Sequence, residues 1–372
     1  MTDPTPIRIL HVFGKLNAGG AETMLMNIYR NIDRSKIQFD FIVHTQEECF
    51  YDQEIKQLGG RIYRIPNFTG KNILNYISSW KQFFIVHPEY KIIHTHVRST
   101  ASIFLYLAKK HKVTTIAHSH STSNGKGVSA IVKNLMQFPI RYLADHLVAC
   151  SDNAAQWLFG KKIIKQKAVI ILKNAIDTNK FIYNADIRKN QRSKLAVEDK
   201  FVLGHIGRFN EAKNHEFLIR TFSEVIKKQP NSVLLLIGEG ELQASIRNLV
   251  SQLKLEDYIY FLGARGNISD ILQAFDVFVF PSLFEGLPVT LIEAQASGLK
   301  IIASDVITKE VKLTDIIDFE SIQSSPEHWA NKILEHSKSY KRNNTQKLIV
   351  DAGYDISSTV NWLENFYPNL KI

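Results

Sequence analysis

The chain has 372 residues, 45% apolar and 22% charged, a profile that fits a soluble globular protein of two domains. Its two cysteines, Cys49 and Cys150, lie far apart without CxxC spacing, which excludes a disulfide framework and suits a reducing cytoplasm. The net charge of +10 is uneven: residues 1–180 hold 24 Lys+Arg against 12 Asp+Glu, whereas residues 181–372 hold 22 against 24. A basic half points to an anionic lipid surface, a nucleic acid or a phosphorylated substrate, or simply to solvated lysines. The opening MTDPTPIRILHVFG does not have the pattern of a signal peptide, and no run of 18 apolar residues is present, so no membrane span is expected.

Residues 7–13 form a β-branched run ending at Gly14, and Asn17-Ala18-Gly19-Gly20 precedes a helix expected from about Ala21. Further strands are expected at 39–44, 61–65, 91–96, 113–118, 146–150 and 168–171, with longer periodic segments between them. This alternation predicts a parallel sheet covered by helices. Segment 127–144, GVSAIVKNLMQFPIRYLA, gathers Val128, Ile131, Val132, Leu135, Met136, Ile140 and Leu143 mostly on one side. It reads either as a helix packed on its own sheet and kinked at Pro139, or as one lying on an anionic membrane. The pattern breaks near Lys173-Asn174, and a polar stretch runs to about Lys200. The expected division is a first domain over 1–180, a second over 181–354, and a C-terminal helix from 355 returning to the first.

In the second half, strands are expected at 201–206, 232–237, 258–262 and 277–280, each followed by Gly or Pro. This is the rhythm of a doubly wound α/β domain, whose ligands bind at the carboxyl ends of the strands. Those ends carry GRFNEAKN with Arg208 and Lys213, GEGE with Glu239, GARGN with Arg265, and PSLFEGLP with Glu285. Arg208 and Lys213, five residues apart, suit a diphosphate. The helix opening at Gly286-Leu287-Pro288 offers amides and a positive dipole end to a phosphate. Glu293, about one turn inside, is placed to accept two hydrogen bonds from a ribose diol, and Glu285, before the helix, to reach hydroxyls beyond the second phosphate.

The pair Glu285/Glu293 at E-x7-E spacing, Gly207-Arg208…Lys213, the GEGE turn and Phe261-Leu262-Gly263 resemble the retaining family 4 glycosyltransferases, and most closely the bacterial members that build capsule and exopolysaccharide. The resemblance covers nearly the whole chain. It implies the GT-B fold, two Rossmann-like doubly wound domains facing a central cleft. It also implies hexosyl or N-acetylhexosaminyl transfer from a nucleoside diphosphate sugar, a UDP-sugar by preference, to a glycan or lipid-linked acceptor. Arg208 and Lys213 would neutralise the diphosphate, Glu293 would hold the ribose, Glu285 the transferred sugar, and Arg265 would lie at the base. Gly19-Gly20 matches the loop that closes over the donor phosphates, and His118 the histidine near the donor sugar. One departure is SDVITKEV, where Ile307-Thr308-Lys309 replaces the glycine expected before Glu310; Glu310 has no assignment.

His94/His96 and His118/His120 each share a face of an extended chain and would suit zinc, but a satisfied polar edge is the plainer account. No Asp-x-Asp occurs, so no essential divalent ion and no cofactor are expected; the protein's own cations would serve instead. LNAGGAE lacks the GxGxxG of a dinucleotide oxidoreductase. No known nucleic-acid motif accompanies the basic residues. A non-catalytic nucleotide-sugar binder and another GT-B-like enzyme such as an epimerase are the alternatives. The expected location is cytoplasmic, at the inner membrane face if the basic half meets lipid.

Overall fold

A computed structural model describes residues 5–17, 19–121, 127–337 and 340–370. It divides into two compact units: the chain up to Ala175 together with the chain from Ile356 on, and Ile176–Asp355. Among the described residues no helix is long and apolar enough to cross a membrane.

The first unit is built on seven strands, β1 (Ile7–Phe13), β2 (Ile37–Val43), β3 (Ile62–Arg64), β4 (Ile92–Thr95), β5 (Thr114–Ser119), β6 (His146–Ala149) and β7 (Val169–Ile171). They are ordered β3-β2-β1-β4-β5-β6-β7 and every pairing is parallel. Helices cover both faces, so β2 is buried at all seven positions. The C-terminal helix Ile356–Phe366 belongs to this unit. It seats Ile356, Val360 and Leu363 in the core shared with the helix Gly20–Asn31, and its Glu364 accepts the Asp33 amide at 2.8 Å.

Segment 127–144 settles between its two readings in an unexpected way. It forms helices Val128–Gln137 and Ile140–Leu143, interrupted at Pro139. Only Ala130 and Gln137 of the first are buried, while Val128 (77% exposed), Ile131, Val132 and Leu135 (71%) face outward with Phe138 and Tyr142. The apolar side is therefore not packed on the sheet of this unit. Arg141 is held inward, donating to the Leu158 carbonyl at 3.0 Å with its guanidinium 4.4 Å from the Phe138 ring centre.

The second unit has six parallel strands, β8 (Phe201–Ile206), β9 (Ser232–Ile237), β10 (Ile259–Gly263), β11 (Val277–Phe280), β12 (Lys300–Ser304) and β13 (Ile317–Glu320), in the order β10-β9-β8-β11-β12-β13. The last two are not among the expected strands. Both are short, and β13 alternates only Ile317 and Phe319, too little period to stand out from a loop. The polar stretch between Asn174 and Lys200 contains a helix. Asn184 caps a helix, Ala185–Lys194, by accepting the Asp186 and Ile187 amides. Arg188 and Arg192 of that helix both reach Asp276. A helix with little apolar surface is thus held by partly buried charge pairing, which a hydropathy pattern does not register.

Candidate active site

The order of the second sheet reverses between the paired strands β8 and β11: the chain continues from β8 to β9 on one side and from β11 to β12 on the other. In doubly wound sheets this is where a crevice opens. The turn after β8 and the loop after β11 meet there. Asn210 accepts the Lys213 amide at 3.2 Å, and Asn214, in the left-handed region at φ 54°, starts the helix His215–Lys228. The Asn214 amide side chain donates to the Pro281 carbonyl at 3.2 Å, and Leu283 N–H donates to the Ala212 carbonyl at 2.8 Å. These two bonds fasten the loops together. They bring Lys213 Nζ to 2.6 Å from Glu285 Oε1 and 4.7 Å from the Phe280 ring centre. The two side chains are 16% and 15% exposed, so this is a shielded pair.

Arg208 takes a different course. It is exposed and pairs with Glu241 at 3.2 Å. The two expected diphosphate cations thus share one turn but each rests on its own carboxylate. Beneath the turn, His205 Nδ1 donates to the Val279 carbonyl at 2.9 Å, and His215 stacks on Phe209 at 4.0 Å.

The GEGE turn packs directly on this one. Gly238 has φ 134°, and a Cβ there would lie 2.1 Å from the Gly207 carbonyl oxygen. Phe209 N–H donates to the Glu239 carbonyl at 3.0 Å. The Glu239 side chain is exposed, as is Arg265 in the loop after β10.

The helix Val289–Ala296 begins one residue later than expected, with Pro288 as its N-cap at φ −75° and ψ 100°. Proline still removes no needed donor, because an N-cap N–H takes no part in the helix. Gly286 is exposed, Leu287 packs on the core and Pro288 is buried. Glu293 is buried on this helix, and burial raises its carboxyl to about 8.

In the first unit, Gly19 is the N-cap of the helix Gly20–Asn31 and Gly20 its first residue; Ala18 of the same motif lies outside the described residues. Glu22 folds back over the turn, its carboxylate 2.4 Å from where a Gly19 Cβ would stand, and burial lifts it to about 7. Sequence reading passed over Glu22, although glutamate three residues after a helix N-cap is a recognisable signal. Asn214 and the Ala212–Leu283 bond were equally unmarked, because they matter only once β8 and β11 are neighbours. His118 is 1% exposed, inside β5, rather than presented at the surface.

Comparison with known proteins gives the family of the chain. A family model for Glycosyltransferase Family 4 matches residues 18–180, and one for Glycosyl transferases group 1 matches 186–347. EpsF of Bacillus subtilis (strain 168), a protein that carries a glycosyltransferase name, is 34% identical over 97% of this chain and 96% of its own length. The chain belongs to glycosyltransferase family 4. The capsular polysaccharide biosynthesis glycosyltransferase CapH of Staphylococcus aureus is 23% identical over 97% of this chain and 98% of its own. The fold matches the crystal structure of Anabaena HepE in complex with UDP and glucose, with TM-score 0.78 and 18% identity over 98% of this chain and 100% of that one. The expected family and the two Rossmann-like domains of the GT-B class both hold for this glycosyltransferase.

Proposed function

We propose that this glycosyltransferase moves a hexosyl or N-acetylhexosaminyl group, with retention of configuration, from a UDP-sugar to a hydroxyl of a glycan or lipid-linked saccharide in surface polysaccharide assembly. The observation that carries the reading is the shielded Lys213–Glu285 pair at the switch point of the second sheet. A simple nucleotide-binding module needs cations there but has no use for a carboxylate held against one of them. On donor entry, Lys213 turns to a phosphate oxygen and Glu285 is released to accept from a sugar hydroxyl. Arg208 and the amides at the start of Val289–Ala296 meet the rest of the diphosphate, and Glu293 takes the ribose. Glu239 and Arg265 face the nucleotide from the neighbouring strand ends. Gly19, Gly20 and His118 are assigned to the donor by family resemblance.

In the transfer step the bond from the anomeric carbon to the diphosphate oxygen breaks, and its electron pair leaves on the diphosphate. The acceptor oxygen bonds to the same face of that carbon and passes its proton to the departing phosphate oxygen. Fixed cations and amides aimed at the developing charge lower the barrier. Incubation with a panel of nucleotide sugars tests this. Slow hydrolysis of one UDP-sugar, suppressed by UDP, is the expected result; inertness toward every donor that binds would leave a non-catalytic binder. Turnover is expected to persist in excess EDTA, and loss of activity restored by manganese or magnesium would refute the assignment of charge neutralisation to Arg208 and Lys213.

Glu293 supplies a pH signature. Its carboxyl is neutral below about 8 in the free protein, whereas a ribose diol donating two hydrogen bonds favours the ionised form. Nucleotide binding therefore releases a proton, and affinity falls as pH drops below 8, by at most about tenfold per unit. Calorimetry at pH 7 in buffers of different ionisation heat should show release of close to one proton, absent in Glu293→Gln.

The exposed apolar side of Val128–Gln137 and the basic character of this half together fit reversible docking on anionic lipid, which would put the enzyme beside a lipid-linked acceptor at the cytoplasmic leaflet. Lys133, Lys161 and Lys162 are exposed and available to headgroups. Arg141 is committed to Leu158, and Lys126 lies outside the described residues. Co-sedimentation with phosphatidylglycerol vesicles is expected at low salt and release at high salt, with Leu135→Ser and Lys133→Gln each weakening it. Protein remaining in the supernatant at low salt would rule out lipid docking.

A further inference from the structure

The first unit contains a group of imidazoles that sugar transfer does not require. His11 on β1 pairs in register with His94 on β4, and His96 follows two residues later, so all three project from one face of the sheet. The face lies in the core formed with the helix Ile356–Phe366 and Tyr367. Ring centres in the trio are 4.7 to 5.4 Å apart. His11 and His94 are 0% and 2% exposed. Burial lowers the basicity of all three rings, so each carries one N–H and one lone pair.

Hydrogen bonding uses only some of these nitrogens. His11 Nδ1 lies 3.1 Å from His96 Nε2. His94 Nδ1 lies 2.9 Å from the Tyr367 hydroxyl, which leaves His94 Nε2 and His11 Nε2 buried without a hydrogen-bond partner among the described residues. An unpaired buried polar atom costs roughly 1–3 kcal/mol, and neutral rings with one donor each cannot satisfy one another throughout. One nitrogen from each of the three rings lies within 4.8 Å of the other two. Tetrahedral ligation at 2.0–2.1 Å per nitrogen needs a spacing of roughly 3.4 Å, within reach of small ring rotations.

We propose that His11, His94 and His96 form a site for one late first-row transition-metal ion, with Tyr367 as the residue that orients His94. An all-imidazole set suits zinc, copper or nickel rather than magnesium or calcium. A phenol on the outer nitrogen of a ligating histidine fixes which ring nitrogen faces the metal. The ion would fasten β1 and β4 beneath the C-terminal segment. It plays no part in the transfer step proposed above. His96, His118 and His120 make a second cluster. It shares His96, whose Nδ1 lies 2.7 Å from His120 Nε2, and it too has unpaired nitrogens on His118 and His120, but among the described residues no tyrosine is hydrogen-bonded to His118 or His120, so His11, His94 and His96 are the better-oriented set.

The test uses the full chain without a histidine tag, freed of metal by dialysis against chelator and then titrated with Co2+. The expected result is one equivalent bound, with the visible absorption of four-coordinate cobalt, displaced by Zn2+ and accompanied by a rise in Tm. His11→Gln and His94→Gln, checked for native circular dichroism, should each abolish the absorption; either alone suffices if the other fails to fold. His120→Gln should retain it, and Tyr367→Phe should weaken binding about 10- to 100-fold. No saturable binding by the wild-type chain would overturn the proposal. So would binding that survives His11→Gln and His94→Gln but disappears in His120→Gln. None of these readouts depends on sugar transfer.

Discussion

Replacing Lys213 by alanine is expected to lower kcat about 10²- to 10³-fold, the usual effect of removing one preorganised charge from a transition state. The side chain is shielded and rests 2.6 Å from Glu285, so the substitution also leaves a carboxylate without its partner. That part of the effect belongs to stability, about 1–3 kcal/mol, and can be separated. Glu285→Gln should leave UDP affinity within a few fold while turnover collapses, because it meets the sugar rather than the nucleotide. The double variant Lys213→Ala/Glu285→Ala should regain most of the Tm lost in Lys213→Ala, since no charge is then left unpaired, but none of the activity. Thermal unfolding, UDP calorimetry and steady-state kinetics on the four proteins decide it. If the double variant recovers turnover, or if Glu285→Gln loses nucleotide and sugar alike, the pair is a structural ion pair only.

The second large effect is expected at a residue that has no side chain. Gly238→Ala meets two penalties at once. At φ 134° an L-residue is strained by itself. The new Cβ would also stand 2.1 Å from the Gly207 carbonyl oxygen, a backbone atom that cannot swing aside. The turn carrying Arg208 and Lys213 must move, or the GEGE turn must. We expect a loss of about 2–4 kcal/mol in stability together with a nucleotide affinity at least tenfold weaker. Gly286→Ala, in the exposed loop before the helix, serves as the comparison and should unfold at nearly the wild-type temperature. An unchanged Tm and UDP affinity for Gly238→Ala would mean that the two turns are not in rigid contact.

Much of this was written in the chain. The strands 201–206, 232–237 and 277–280 coincide with β8, β9 and β11, because a strand covered on both faces is a short unbroken apolar run closed by Gly or Pro. The residue types after each strand were legible for the same reason: the period ends where the chemistry begins. Sequence could not say which strand ends are neighbours. Strand order is set by long-range pairing, and only the sheet places the turn after β8 beside the loop after β11, where Ala212, Asn214, Pro281 and Leu283 join them. It could not say that Lys213 would hold Glu285 while Arg208 turned to Glu241. Nor could hydrophobic periodicity tell which side of Val128–Gln137 meets the protein, since an amphipathic pattern gives two faces and no direction. His11, 83 residues before His94 in the chain, joins it only because β1 and β4 pair. A cluster assembled across a sheet leaves no spacing to read; tertiary structure alone decided it.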